Sequence, residues 1–254
     1  GNVNFNLVAS DITYSSVDIR TSLRSSINTL LYPYVNKLVF TVSDADAKND
    51  NAYKLVLEKE KLQALMLTGS ATKIPADVVT QMVGEAAGDK PFQAEIQVLY
   101  PTADANISVW DALLTQGVLD VRFPDGNIAS ATQYHAAMRA YASQGMEGSI
   151  EEDVTGRYYD RLFRTLKQPA NVEVERWFVT DTYVQMRGLK VNDPDGAIKD
   201  GKISVRLLQN SNSKVIDIQN VTTGSINEDG TLTFNNLTNG MEYRIEFYAL
   251  EYNE

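Results

Sequence analysis

The sequence has no cysteine among its 254 residues and a single histidine, His135. The absence of cysteine excludes disulfides, thiolate nucleophiles and cysteine-based zinc sites. A serine–histidine triad would have to be built on His135 alone, and there is no Gly-x-Ser-x-Gly turn to carry its serine. Phosphate-binding glycine motifs of the Walker and Gly-x-Gly-x-x-Gly types are also missing. We therefore expect His135 to be a packing or surface residue.

Basic residues and long apolar runs are scarce as well. Lysine and arginine total 23 against 33 aspartates and glutamates, so the formal charge is −10 and the pI is near 4.7. This balance argues against sequence-independent binding to nucleic acid or anionic lipid, since both require a basic face. No window approaches the roughly eighteen consecutive apolar residues of a membrane span. The Gly1 start lacks the regions of a signal peptide and is typical of a trimmed chain from which any export signal is missing.

The clearest strand pattern lies near the C-terminus. From Tyr243 to Ala249, apolar and polar residues alternate, as expected for a half-buried antiparallel strand. Leu237, Gly240 and Tyr243 have the spacing of a tyrosine corner, in which the phenol bonds a backbone group where the chain crosses between two sheets. These three residues resemble the corner of a fibronectin type III module. The resemblance covers roughly residues 176–254 and implies a β-sandwich, but it does not imply a function.

The first third of the chain has a related design. The strand pattern of Leu38–Val42 parallels that of Ile203–Leu207, and each precedes a loop rich in Asn, Ser or Asp. Gly88–Tyr100 resembles the C-terminal turn and strand, with Phe92 in place of the corner tyrosine. The sequence therefore predicts an immunoglobulin- or fibronectin III-like sandwich over residues 1–103.

The middle of the chain has a different pattern. Trp110–Leu119 and Ala131–Tyr141 are rich in helix formers. A third helix is predicted from Ser149, which begins a capping box, and it carries an apolar residue every fourth position as far as Leu166. Residues 104–175 are therefore interpreted as a helical insert or subdomain.

Together these patterns predict the fold class: mainly β with a helical insert (α+β), in which sandwiches at 1–103 and 176–254 flank the helical residues 104–175. The structure of Pro75–Gly84 stays open, because the segment suits either a helix or a strand.

Two acidic loops are the candidate metal sites. One contains Asp193, Asp195 and Asp200, and the other is the loop Asp44/Asp46/Asn49/Asp50. Both supply the oxygen ligands that calcium prefers, yet neither has the spacing and closing glutamate of a calcium-binding loop. Asp-Pro-Asp-Gly and Asp-Gly are also ordinary turn sequences. Calcium is the one cofactor that the sequence leaves open, and turn formation is the favoured alternative.

Aromatic residues are the candidate binding residues. The sequence has 13 tyrosines, and Tyr158, Tyr159 and Tyr248 could present flat rings to a sugar. Tyr248 falls on the polar face of its strand, so we expect its ring to be exposed. Core packing is the commoner role for such rings.

With no catalytic motif, the sequence favours a non-enzymatic structural or interaction module of an extracellular or virion-surface assembly, such as a phage tail, baseplate or fibre. Its partners would be other protein subunits, in a homo-oligomer or a larger assembly. The alternative is an adhesin or carbohydrate-binding accessory module that recognises a glycan or a host receptor. A glycosidase needs only two carboxylates, and the 33 acidic residues give no means of selecting a pair.

Overall fold

The computed structural model describes residues 3–24, 34–46, 51–102, 106–143 and 150–252. The chain divides into unit 1 (Gly1–Leu166) and unit 2 (Lys167–Glu254). Antiparallel strands dominate both units, and the helices are few and short. The predicted mainly β class is confirmed. Among the described residues, no helix has the length and apolar character that a membrane span requires.

Unit 1 is built from strands in two sheets. Its strands are β1 (Phe5–Ser10), β2 (Val17–Leu23), β3 (Val35–Asp44), β4 (Asn51–Glu58), β5 (Ala71–Lys73), β6 (Thr80–Val83), β7 (Glu95–Leu99), β8 (Val118–Phe123), β9 (Gln133–Ala142), β10 (Glu152–Asp153) and β11 (Arg161–Arg164). Its helices are α1 (Lys59–Leu62) and α2 (Val109–Leu113), with 3₁₀ turns at Ala76–Val78 and Glu85–Ala87. The segment left open from sequence, Pro75–Gly84, thus holds a 3₁₀ turn followed by β6.

The two sheets of unit 1 enclose one core. The first sheet has the order β1-β2-β8-β7-β5, and the second has the order β10-β9-β3-β4-β6, with β11 also paired to β9. Apolar side chains of both sheets are buried together, among them Ile19 and Val121 from the first sheet and Phe40 and Leu55 from the second. Burial of these apolar faces against each other is the main stabilising term of such a sandwich.

Unit 1 has a tyrosine corner, which lies at Tyr134. The Tyr134 hydroxyl accepts a hydrogen bond from the Ala129 N–H at 3.1 Å, and its ring is buried. Ala131, three residues before the tyrosine, has a left-handed φ of +48°. Phe92 instead packs its buried ring on Phe123 and Tyr134, with centroids 5.4 and 5.9 Å away. The prediction that Phe92 occupies a corner is therefore wrong.

Two of the predicted helices are strands. Residues 133–142 form β9, in which alternate residues point into the core: Tyr134, Ala136, Met138 and Ala140. The described residues after position 149 form β10, β11 and extended chain, while Ser149 itself lies outside the described residues. Residues four positions apart lie on one face of a helix, whose period is about 3.6 residues, and also on one face of a strand, whose period is two. An apolar residue at every fourth position therefore fits both structures. Pairing of β9 with β3 and β11 therefore outweighed the helix propensity of the alanines.

In the described part of residues 104–175, α2 is the one α-helix. Ser108 caps it, because the Ser108 Oγ accepts the Asp111 N–H at 3.1 Å. Strands β8 to β11 complete the sheets of unit 1. The unit boundary therefore falls between Leu166 and Lys167, and it does not coincide with the predicted boundaries at 103/104 and 175/176.

Unit 2 contains eight strands in its described residues. They are β12 (Asn171–Glu173), β13 (Arg176–Val179), β14 (Val184–Arg187), β15 (Lys190–Asn192), β16 (Lys202–Gln209), β17 (Val215–Thr222), β18 (Thr231–Phe234) and β19 (Tyr243–Tyr248). Helix α3 (Thr223–Asp229) and a 3₁₀ turn at Lys199–Gly201 connect them. The sheets have the orders β13-β14-β18 and β17-β16-β19, with β12-β15 as a separate pair.

The predicted C-terminal corner is present. The Tyr243 hydroxyl accepts the Thr238 N–H at 2.8 Å, and Gly240 takes a left-handed φ of +84°. Leu237 packs on the buried core of unit 2. Two three-stranded sheets joined through this corner form a fibronectin type III-like sandwich, as the sequence resemblance implied.

The two units share one strand order. In unit 1 the pairings β1-β2-β8 and β4-β3-β9 match β13-β14-β18 and β17-β16-β19 of unit 2. The parallel between Leu38–Val42 and Ile203–Leu207 is explained by this match, since the two segments lie on β3 and β16. Residues 59–117, with β5, β6 and β7, are an insertion that unit 2 lacks in its described residues.

Candidate functional site

A polar cluster lies on the outer face of β9 in unit 1. Arg139 makes a bidentate pair with Asp160, with its two terminal nitrogens 2.6 and 2.7 Å from the carboxylate oxygens. The His135 Nε2 lies 2.9 Å from the same carboxylate. Burial alone would raise the pKa of Asp160, but the hydrogen bonds and charge of Arg139 hold it below its ordinary value. Because Asp160 directly precedes β11, the cluster fastens that strand to β9.

Tyr158, a predicted binding residue, adjoins this cluster. The Arg139 guanidinium lies 3.7 Å from the centre of the Tyr158 ring, and the Tyr158 hydroxyl is 3.1 Å from an Asp153 oxygen. The ring is 55% exposed. The hydrogen bond to Asp153 raises the pKa of Tyr158. One face of the ring is thus covered by a guanidinium in a cation–π contact.

The other two predicted rings also lie under arginines. Arg24 is 3.7 Å from the centre of the Tyr159 ring in unit 1, and Arg206 is 4.2 Å from the centre of the Tyr248 ring in unit 2. Tyr248 is 44% exposed, as its place on the polar face predicted, and its hydroxyl bonds Glu246. Tyr158 and Tyr159 belong to one unit and Tyr248 to the other.

The aspartates predicted to hold calcium have backbone partners. Asp193 accepts the N–H groups of Ala197 and Ile198 at 2.7 and 3.0 Å, and Asp195 accepts the N–H of Gln168 at 2.6 Å. Asp200 sits in a turn with φ of +55°. The Asp193 contacts are local bonds of the kind that form turns, which was the alternative to calcium, whereas the Asp195 bond joins the loop to a distant segment.

The second acidic loop is described in part. Asp44 accepts the Asp46 N–H at 2.9 Å, whereas Asn49 and Asp50 lie outside the described residues. Within the described ranges, no three His, Asp or Glu side chains are grouped so that they could hold a metal ion.

An apolar groove runs between β13 and β19 in unit 2. It has a volume of about 440 Å³, and its lining includes Trp177, Val179, Leu237, Met241 and Ile245. Trp177 and Val179 are 51% and 70% exposed. The exposure of these apolar residues departs from a closed sandwich, in which such residues are covered.

Trp177, Val179 and Met241 were not among the predicted binding residues. The signal available was the alternation of Trp177 and Val179, which indicates a strand with an apolar face. Alternation does not reveal whether that face is covered, because covering depends on segments distant in the chain.

Comparisons with known proteins concern the fold. No protein-family model matches the sequence, and no curated protein does so either. Among solved structures, a two-domain fibronectin type III segment of chicken tenascin matches at 9% identity and a TM-score of 0.35, over 98% of this chain and 91% of that one. The pilus backbone protein of Streptococcus pneumoniae matches at 9% identity and a TM-score of 0.20, over 98% of this chain and 51% of that one. Because both scores are low, the description as fibronectin type III-like sandwiches rests on the strand order and the two tyrosine corners.

Proposed function

We propose that this chain is a non-enzymatic structural and interaction module of an extracellular or virion-surface assembly, such as a phage tail, baseplate or fibre. The observation that carries the proposal is the exposed apolar surface of unit 2. Large apolar side chains are exposed on β13, on β17 and after β19: Trp177, Val179, Val215, Ile216, Ile218 and Leu250. Of these, Trp177 and Val179 line one groove, and grouped exposed apolar residues of this kind mark protein–protein contact sites in soluble proteins.

The polar cluster of unit 1 supports a non-enzymatic role. Asp160 accepts two hydrogen bonds from Arg139 and lies 2.9 Å from the His135 Nε2, so the charge of this carboxylate is balanced by Arg139 within the cluster. A general base or acid needs a side chain that reaches a substrate. These side chains instead hold β11 in place.

The partners in this proposal are other protein subunits, in a homo-oligomer or a larger assembly. The net charge of −10 supports protein partners over nucleic acid, because a phosphate backbone would be repelled. The apolar residues on β17 and β13 would supply the contact area.

The test is association of the chain with its native assembly. We expect the chain to co-fractionate with tail or surface particles, and Ile216→Lys with Ile218→Lys to reduce that association. Val8→Lys, at a similarly exposed apolar position of unit 1, is the matched control. A strict monomer by light scattering that is absent from every particle fraction would contradict the proposal.

A second candidate function is recognition of a glycan or host receptor, as in an adhesin or carbohydrate-binding accessory module. It is favoured by the exposed ring of Tyr158, whose hydroxyl bonds the carboxylate of Asp153. Rings and carboxylates together are the groups that bind sugars. A glycan array with and without calcium tests it, with Tyr158→Ala, Tyr248→Ala and Asp193→Asn as variants. Absence of binding in both conditions would remove this candidate.

A further inference from the structure

Core-facing residues of unit 2 are left uncovered at one edge of the sandwich. On β13, Trp177 and Val179 pair with Met186 and Val184, which are buried, so all four side chains point to the same face. Trp177 and Val179 are nevertheless about half or more exposed. On a closed sandwich, residues of this face are covered.

The facing strand has the same feature. Tyr243, Ile245 and Phe247 of β19 point to the core side, because Ile245 and Phe247 pair with the buried Leu207 and Val205. All three are only partly buried. The apolar groove between β13 and β19 is therefore an unfilled part of the core, not an ordinary surface cleft.

The backbone of β19 is also open on this side. Among the described residues, β19 pairs with β16 alone. Asn210 stands opposite Glu242, just before β19, and donates its N–H to the Glu242 carbonyl at 3.0 Å. In an antiparallel pair every second residue bonds its partner in this way, so the even-numbered residues of β19 direct their backbone groups to β16. The N–H and C=O groups of Tyr243, Ile245 and Phe247 consequently point to the open edge. An edge of this kind is a template for a further strand.

Unit 1 shows what occupies the equivalent edge. There β11 pairs antiparallel with β9, and Phe163 of β11 stands opposite the corner residue Tyr134, with ring centroids 5.5 Å apart. Phe163 is buried. Just beyond β11, Thr165 is fully buried and donates its hydroxyl to the Ala129 carbonyl at 2.6 Å. One extended strand thus closes both the sheet and the core.

We propose that the open edge of β19 receives an extended segment of another polypeptide, which adds antiparallel as the missing strand. Its alternate side chains are apolar and fill the groove, with an apolar or aromatic residue opposite Tyr243, as Phe163 stands opposite Tyr134. This inference deepens the proposed function and rests on it. Main-chain hydrogen bonds supply affinity in such strand addition, and the alternate side chains supply specificity.

An unfolded segment suits this edge better than the edge strand of a second folded copy. A strand within a folded sandwich points its apolar side chains into its own core, so it has none to place in the groove. Such a copy would satisfy the backbone of β19 and leave Trp177 and Val179 exposed. The segment must therefore be free of other sheet pairing before it binds.

The test supplies a strand of known geometry. The probe is a peptide with the sequence of residues 159–167, which contains β11, used free at about 1 mM and also appended to the C-terminus of the 254-residue chain through a flexible Gly-Ser linker. A linker of this kind gives an effective concentration near the millimolar range. Amide hydrogen exchange is followed at Tyr243, Ile245 and Phe247. We expect at least a tenfold slower exchange at these amides with the appended strand, the same pattern with the free peptide, and no change on β17.

Two variants keep the result specific. Val179→Glu, at the rim of the groove, should abolish the slowing, whereas Ile218→Glu, an exposed apolar position on β17, should not. An appended strand with proline at the position of Phe163 should also have no effect, because it cannot continue the ladder.

Unchanged exchange at β19 with both the appended and the free strand overturns the inference. Slowing that depends on the concentration of the unmodified chain also overturns it, because it assigns the edge to a second copy. Either result leaves the proposed function open to its own test, since association with native particles is measured separately.

Discussion

Both units carry a tyrosine corner on the same strand order, yet they differ at the edge beside the corner strand. In unit 1, β11 lies against β9 and Phe163 is buried beneath the corner. In unit 2, β19 has no second partner among the described residues, and its core-facing side chains are only partly buried. The comparison shows that the corner forms without the closing strand, because its hydrogen bond is local to five residues of chain.

The β2–β8 pair of unit 1 carries two neighbouring aspartates, whereas the corresponding β14–β18 pair of unit 2 carries none. In unit 1, Asp18 of β2 lies near Asp120 of β8, and the Arg20 Nε is 3.6 and 3.9 Å from their respective carboxylates. In unit 2, the corresponding β14–β18 pair carries a neutral bond from Gln185 to Thr233 at 3.0 Å. A pH-dependent stability is therefore expected of unit 1 through this pair, and no such term arises from the Gln185–Thr233 bond.

The largest expected effect is at the closing strand of unit 1. Phe163→Ala should cost about 3–5 kcal/mol, because it removes a buried ring packed on Tyr134. Val179→Ala, at the open edge of unit 2, should cost less than about 1 kcal/mol, since the side chain is already exposed. Denaturant unfolding followed by the fluorescence of Trp110, in a Trp177→Phe background, reports unit 1, and the fluorescence of Trp177, in a Trp110→Phe background, reports unit 2. Equal costs for the two variants would mean that the edges do not differ.

The next effect concerns pH. Burial and the neighbouring Asp120 raise the pKa of Asp18 to about 7, above its ordinary value of 3.8. A raised folded-state pKa means that the stabilising contribution is fully present below pH 3.8 and is lost as the pH rises through about 7. Asp18→Asn should therefore change stability little at pH 4 and add on the order of 2 kcal/mol at pH 8.

Urea unfolding of the wild type and Asp18→Asn from pH 4 to pH 8 measures this difference. Asp89→Asn, at an exposed position, is the control and should show no such trend. A constant difference across the range would show that Asp18 titrates normally in the folded protein.

The corner hydroxyls come third. Tyr134→Phe should cost about 1–3 kcal/mol, because the Ala129 N–H loses its partner in a buried site. Tyr243→Phe should cost less, about 0.5–1 kcal/mol, because Thr238 is exposed and water can reach its N–H. Phe92→Tyr should bring no gain, since Phe92 is not at a corner. Equal losses for the two tyrosines would indicate that the edge of unit 2 is closed in solution.

The smallest effect is at the turn of each corner. Gly240→Ala should cost about 0.5–1 kcal/mol through the left-handed φ alone, because a Cβ there meets no atom within 4 Å. Ala131→Gly should change stability by less than about 0.5 kcal/mol, since relief of the same strain is offset by greater chain entropy in the unfolded state. Thermal unfolding of Gly240→Ala and Ala131→Gly, each compared with the wild type, measures these changes in stability. A clear loss for Ala131→Gly would mean that the methyl group packs in unit 1.

Local patterns in the sequence were sufficient for several features. The alternation after Tyr243 predicted β19, and the spacing of Leu237, Gly240 and Tyr243 predicted the corner in unit 2. Both features depend on residues close together in the chain, so their side chains and turn conformation determine them directly. The exposure of Tyr248 followed in the same way from its place on the strand.

The tertiary structure decided the rest. Tyr134 forms the corner of unit 1 although alanine replaces glycine at position 131, and this left-handed residue donates its N–H to the carbonyl of the distant Leu166 at 2.8 Å. Residues 133–142 became a strand because β3 pairs with them from about a hundred residues away in the chain. The open edge of β19 likewise depends on which distant segments reach it. Such pairings are set by contacts between remote segments, and no local period in the sequence encodes them.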